Sequence, residues 1–256
     1  MAHIFITGSS DGLGLAAART LLREGHQVVL HARNAERASA LRQVAGPAKV
    51  LVGDLASAVE TQALSDQVNA IGHMDAVIHN AGIYLESSRH PTPEGHARIF
   101  AVNVLAPYLL TARIARPARL IYLTSGMHRG GTASLEDLDW TKRRWSASAA
   151  YSDSKLLLTA FAFALARRWP SVHCNAVDPG WVPTKMGGAG APDDLEMGHQ
   201  TQAWLASSDD AEARTSGGYW YHRERQQPAG ETLDERFQDA LVARLAELTG
   251  VELPAG

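Results

Sequence analysis

The stretch Ile4-Phe5-Ile6-Thr7-Gly8-Ser9-Ser10-Asp11-Gly12-Leu13-Gly14-Leu15 decides the fold. A short apolar run of strand-forming residues turns through three glycines into a helical pattern. In Leu13–Glu24 small and apolar residues share one face, and Gly25 sits where a helix C-cap is wanted. Gly8 permits the sharp turn off the strand, Gly12 lets the backbone approach a pyrophosphate, and Gly14 lets helix and strand pack closely. The helix start offers that pyrophosphate unpaired N–H groups and the positive end of a dipole. No Gly-Lys-Ser/Thr follows, so the loop is not a P-loop.

Outward from this unit the same rhythm repeats. Apolar runs at Ile4–Ile6, Val28–Leu30, Val50–Val52, Ala76–His79, Leu120–Leu123, Val172–Val177 and Tyr219–Tyr221 alternate with helical patterns. All but the last are nearly continuous, as parallel strands buried on both faces must be. The expectation is an α/β protein. Residues 1–256 should form a single doubly wound Rossmann-type domain, with a seven-stranded, mostly parallel sheet and helices on both faces. Residues 126–149 and 184–215 break the rhythm and are expected to be substrate loops. The glycine-rich part, Thr184–Asp194, should be mobile. The helix-like stretch Asp234–Thr249 follows the last strand.

The end of the second strand decides the cofactor. Folds that hold NAD place a carboxylate there for the ribose hydroxyls. Here the strand ends Leu30-His31-Ala32-Arg33-Asn34. Ala32 stands where the acid would be. The Arg33 guanidinium suits a 2′-phosphate, which a carboxylate would repel. Asp11, in the glycine loop, argues the other way. NADP(H) is the expected cofactor, with NAD(H) the alternative.

Bulk properties narrow the function classes. The chain has 256 residues, 45% hydrophobic and 20% charged, with a formal net charge of −3. That is ordinary globular composition, without the basic excess of a nucleic-acid or membrane-surface binder. Nucleic acid and membrane are therefore not expected partners; a small-molecule substrate is. The single cysteine, Cys174, excludes an internal disulfide and fits a reducing compartment, and the chain starts without a leader-like apolar segment. A cytoplasmic protein is expected. The eleven histidines show no metal-ligand spacing, so no metal site is expected.

Taken together, the motifs resemble those of the short-chain dehydrogenase/reductase family over nearly the whole chain. Thr7–Gly14 resembles its Thr-Gly-x-x-x-Gly-x-Gly motif. His79-Asn80-Ala81-Gly82 resembles its Asn-Asn-Ala-Gly motif, departing from it at His79. Tyr151-Ser152-Asp153-Ser154-Lys155 resembles its Tyr-x-x-x-Lys, and Pro179–Thr184 its Pro-Gly-x-x-x-Thr. The resemblance implies a catalytic set of Ser125, Tyr151, Lys155 and Asn103, with Asn103 holding a proton-relay water. It also implies cofactor contacts from Gly8, Ser10, Gly12, Leu13, Gly14, Asp54, Leu55, Asn80, Ala81, Gly82, Tyr151, Lys155, Pro179, Gly180, Val182 and Thr184, to which Arg33 is added. The long interval between Ser125 and Tyr151, the Leu135–Leu138 insert and the tail from Gly217 look like the retinol-dehydrogenase and protochlorophyllide-reductase branch. Many members dimerise through the Tyr-bearing helix. The long segment before that helix points here to a monomer or homodimer.

The chemistry of the residues agrees. Tyr151 and Lys155, four apart, share a helix face. An ammonium and a positive nicotinamide both favour phenolate, so a phenol pKa of about 10 should fall toward working pH. Tyr151 would then exchange a proton with the substrate oxygen while Ser125 holds that oxygen. The expected activity is NADP(H)-dependent oxidoreduction of a carbonyl or alcohol. A catalytically silent nucleotide-binding sensor or scaffold is the alternative, which intact Ser125, Tyr151 and Lys155 disfavour. Tyr84, Leu85, Met127, Trp140, Trp145, Trp181 and Met186 should wall the substrate pocket. Since Arg89, Arg129 and Lys185 make no cluster, the substrate should be neutral and largely apolar.

Overall fold

The apolar runs become strands of a single sheet. The structure, a computed structural model, describes residues 1–43, 46 and 48–256. The strands are β1 (His3–Ile6), β2 (Gln27–Ala32), β3 (Lys49–Val52), β4 (Ala76–His79), β5 (Arg119–Leu123), β6 (His173–Asp178), β7 (Gly218–Tyr221) and β8 (Glu224–Gln226). Their order across the sheet is β3-β2-β1-β4-β5-β6-β7-β8. All neighbouring pairs are parallel except β7–β8. Seven strands are where the sequence pattern puts them, within a few residues. The eighth escaped it for a physical reason. Glu224-Arg225-Gln226 is exposed and carries no apolar alternation. Its hairpin turn, His222-Arg223, places both residues at positive φ (50° and 64°) without the glycine or asparagine that signals such a turn.

Strand side chains point alternately to the two faces, and each face is covered. Ile4, Ile6, Leu30 and Ile78 pack with α1 (Gly12–Arg23), α2 (Ala35–Arg42) and α7 (Leu195–Ser207). Phe5, Val29, Val77 and Tyr122 pack on the other side. There they meet α3 (Ala58–Ile71), α5 (Ala106–Arg113), α6 (Ala147–Arg168) and α8 (Glu235–Thr249). The helix α4 (Arg98–Phe100) runs into α5 through a π-helical turn at Ala101–Leu105.

Two local features follow from single residues. Gly25, at φ +85°, closes α1: its N–H reaches the Leu22 carbonyl and the His26 N–H reaches that of Leu21. The stretch 184–215, expected as loop throughout, contains α7. Asp194 caps this helix by accepting from the N–H groups of Glu196 (2.6 Å) and Met197 (3.2 Å). The glycine and polar residues of Glu196–Gln202 masked it. Gly198 is small because a Cβ there would come within 2.7 Å of Val182 Cγ1 and 2.9 Å of the Pro179 carbonyl.

The chain runs outward from β1 to β3, then crosses back to β4 beside β1. Beyond the carboxyl ends of β1 and β4 lies the crevice where doubly wound sheets hold their ligands. No helix among the described residues is long and apolar enough to cross a membrane.

Candidate functional site

A cleft of about 370 Å³ opens at this crossover. Gly8, Ser10, Gly12, Leu13, Arg33, Asp54, Leu55, Asn80, Ala81, Gly82, Pro179 and Thr184 line it, together with Tyr151 and Lys155. Gly14, Gly180, Val182, Asn103 and Ser125 stand behind or beside this lining. Gly14 is a packing residue: a Cβ would meet Asn80 Nδ2 and would lie 2.5 Å from the Gly8 carbonyl oxygen. Gly180 holds φ +80° at the turn after β6, where Asp193 closes over it by accepting from Trp181 N–H at 2.6 Å. Buried Val182 wedges against Gly198 of α7.

The residues fit an extended dinucleotide. Gly12, at φ +53°, lines the cleft, and a Cβ there would close on the Thr184 methyl at 3.4 Å. Asn80 donates to the carbonyls of Thr7 (2.9 Å) and Gly8 (3.1 Å), tying β4 to the glycine loop. Asp54 accepts from Ala56 N–H at 2.9 Å, ordering the segment after β3. Two cations join Arg33: Arg37, which sequence reasoning missed, and Lys185, which it had weighed only as a neighbour of the substrate pocket. Arg37, one turn into α2, contacts Asp11 at 3.2 Å, and Lys185 contacts the same carboxylate oxygen at 3.1 Å. The Asp11 charge, which had argued against a 2′-phosphate, is thereby offset. The spacing of Arg33 and Arg37, which flank the helix cap Asn34, was the available signal.

On the catalytic side, α6 presents Tyr151 and Lys155, both buried, on consecutive turns. Lys155 Nζ donates to the Leu123 carbonyl at 2.7 Å, and burial pulls its pKa down to about 8. Burial pushes the Tyr151 phenol up to about 12, against a hydrogen bond with Ser125 that pulls it down. The expected fall of the phenol toward working pH is thus not supplied by the protein alone. Desolvation outweighs the Ser125 hydrogen bond, and the phenol stays protonated. Ser125, two residues beyond β5, caps a 3-10 turn, Gly126–Gly130, by accepting from Met127 N–H at 3.2 Å. Asn103 lies in the π-helical turn. Its Oδ1 accepts from Ile83 N–H (2.9 Å), and its Nδ2 donates to the Ile83 carbonyl (3.1 Å) and Ser154 Oγ (3.0 Å). These bonds make the side chain a clamp on the segment after β4. His79, the departure from the family motif, faces away from the cleft. It stacks on Tyr122 with centroids 4.6 Å apart, pairs with Thr111 at 3.1 Å, and burial drops its pKa to about 3.

Of the residues expected to wall the substrate pocket, only Met186 lines this cleft. Tyr84 tilts against Tyr151 at 4.5 Å, and Trp181 is 60% exposed. Trp140 is instead buried scaffold, edge-on to Trp145 under the Arg143 guanidinium. Asp137 organises the 126–149 segment by accepting from the N–H groups of Thr141, Lys142 and Arg143. Arg89 and Arg129 are engaged by the carbonyls of Asp139 and Gln227. Besides the ion pairs of Asp11, a further charged pair faces the cleft: Arg98 holds Glu86 through two nitrogens at 2.9 and 2.6 Å. Twelve residues separate the partners, so no local pattern announced it. Cys174 is buried in β6, its thiol pushed well up by burial, and plays no part in the cleft.

Comparison with known proteins agrees with this geometry. The family described as short chain dehydrogenase matches residues 2–194. Short-chain dehydrogenase chry4 of Gibberella zeae is 41% identical over 259 residues, covering 100% of both chains. Human Retinol dehydrogenase 13 is 29% identical, covering 98% of this chain and 86% of its own. Among solved structures, an uncharacterized protein from Mycobacterium paratuberculosis superposes with a TM-score of 0.87 at 28% identity, covering 99% and 95%. With its glycine loop, Tyr151–Lys155 pair and parallel sheet in the arrangement described, the chain belongs to the short-chain dehydrogenase/reductase family of oxidoreductases and resembles its retinol-dehydrogenase branch.

Proposed function

We propose that the protein uses NADP(H) to interconvert a carbonyl and an alcohol on a neutral, largely apolar small molecule. The observation that carries this reading is the buried Tyr151–Lys155 pair opening into the same cleft as the glycine loop and Arg33. When bound, the nicotinamide supplies or accepts the hydride. Tyr151, protonated through burial, is set to donate its phenolic proton to the substrate oxygen in reduction. Ser125 would share that oxygen and hold it in line. Lys155, fixed by the Leu123 carbonyl, can turn its remaining N–H donors to a ribose.

Arg33 and Arg37, beyond the end of a β2 that lacks a carboxylate, support NADP(H) over NAD(H). The engagement of Arg89, Arg129 and Lys185 elsewhere supports an uncharged substrate, as does the mutual neutralisation of Arg98 and Glu86. The Thr184–Asp194 segment, tethered by Asp193 at one end and by Lys185 to Asp11, would cover the substrate and exclude water. Alpha-helix α8 and the 3-10 turns Gly126–Gly130 and Gly230–Leu233 pack on α6, which supports a monomer or a dimer. A cytoplasmic setting fits the buried, unpaired Cys174. The test is NADPH consumption with a panel of aldehydes and ketones. Turnover of apolar carbonyls is expected. Tight NADPH binding with no turnover across the panel would favour the silent-sensor alternative.

A further inference from the structure

The second strand carries a histidine where a buried parallel strand calls for an apolar residue. His31, the penultimate residue of β2, is 2% exposed, yet both ring nitrogens are engaged. Gly8 N–H meets Nδ1 at 2.9 Å, and Nε2 lies 2.8 Å from the Gly53 carbonyl oxygen. A main-chain N–H can only donate and a carbonyl can only accept. Both contacts are therefore hydrogen bonds in one state alone: a neutral ring with its proton on Nε2. Burial favours that neutral ring, holding its pKa below the usual histidine value against the opposing pull of the Gly53 carbonyl and of Asp54.

The backbone of the same residue adds two more ties. Ser9 N–H donates to the His31 carbonyl at 3.1 Å, and His31 N–H donates to Ser9 Oγ at 2.8 Å. The glycine loop thus hangs from His31 at two successive residues. Gly8 is fixed from both ends, its N–H by the ring and its carbonyl by Asn80. The far side of the ring holds Gly53, directly before Asp54 and Leu55 of the cleft wall.

We propose that His31 is a positioning residue for dinucleotide binding, its neutral Nε2–H imidazole setting the glycine loop against the segment after β3. The inference rests on the dinucleotide reading above. It assigns His31 no contact with the reacting atoms. Its consequence is that the pyrophosphate end and the Asp54 end of the cleft are held in register by a single ring, so disturbing that ring weakens NADPH and NADH alike.

Two measurements test it. Nitrogen-15 NMR of the cofactor-free protein at neutral pH should show His31 with an unprotonated, hydrogen-bond-accepting Nδ1 and a protonated Nε2. The opposite tautomer or an imidazolium would overturn the proposal. Dissociation constants for NADPH and NADH should then be compared in His31→Leu, His31→Gln and His31→Asn, each with its melting temperature. Asparagine offers an oxygen at the place of Nδ1, whereas glutamine reaches the place of Nε2. His31→Leu and His31→Gln should weaken both dinucleotides by about ten-fold, and His31→Asn should restore most of that loss. Equal affinities across all variants, or an asparagine variant that melts normally yet binds no better than leucine, would overturn it. If His31→Leu does not fold, His31→Asn against His31→Gln decides. If the unaltered protein binds neither dinucleotide, the reading above falls, and the tautomer measurement alone decides the placement of the loop.

Discussion

The Lys155 ammonium lies 5.5 Å from the centroid of the Tyr151 ring, one helical turn away on α6. Burial acts on the two groups in opposite directions, drawing the lysine down to about 8 and the phenol up to about 12. Each shift disfavours the charged form, as desolvation must.

A pH dependence of cofactor affinity follows. A bound dinucleotide's negative charge favours the ammonium, so the pKa of Lys155 should rise on binding. The affinity contributed by that charge is fully present below the free-protein value of about 8 and is lost as pH rises through the complex's higher value. Calorimetry in buffers of different ionisation enthalpy, run just above that pH, should register proton uptake in the wild type. Lys155→Met should register none. A wild type that takes up no proton contradicts the assignment.

Cofactor choice rests on the guanidinium pair beyond β2. Arg33→Ala should cost NADPH about 1.5–3 kcal/mol of binding, the scale of a charged hydrogen bond, and leave NADH nearly unchanged. Arg37→Ala should act in the same direction, and it also leaves the Asp11 charge offset by Lys185 alone. Fluorescence titration reads both. Equal losses for the two dinucleotides would place these arginines outside the 2′-phosphate site.

Gly14→Ala should damage stability and binding together. The new methyl would press on Asn80 and on the Gly8 carbonyl, both part of the cradle. Overpacking of this kind costs about 1–3 kcal/mol. Thermal unfolding and NADPH titration should both shift downward. A variant with unchanged melting and unchanged affinity would refute the packing role.

Substrate charge preference should depend on Glu86. Removing its charge leaves Arg98 uncompensated beside the cleft. Glu86→Gln is therefore expected to shift the kcat/KM ratio of carboxylated over neutral ketones upward by on the order of ten-fold. In the wild type the neutral ketones should lead. Steady-state kinetics on a size-matched pair decides it, and a wild-type preference for the carboxylated partner would sink the apolar-pocket reading.

The parts of this protein that obey local rules were readable from the chain. Continuous apolar runs had to be parallel strands, Gly8 had to serve a turn, and Gly14 a close packing contact. Tyr151 and Lys155 had to share a face. What escaped depends on partners distant in sequence. The Arg98–Glu86 pair, the convergence of Arg37 and Lys185 on Asp11, and the span of His31 between Gly8 and Gly53 exist only once the sheet is assembled. The phenol's raised pKa escaped likewise, because spacing registers the neighbouring lysine but not the depth of burial. Helix α7 was hidden by a glycine that packing, not propensity, requires at position 198.

The most direct test of the central claim is NADPH oxidation by the wild type and by Tyr151→Phe, with one apolar aldehyde or ketone that the wild type reduces. The substitution removes only the hydroxyl, so folding and NADPH affinity should hold. Turnover should fall by roughly 10²–10⁴-fold, the usual share of general acid catalysis. Near-normal turnover in a folded variant that still binds NADPH would contradict the account.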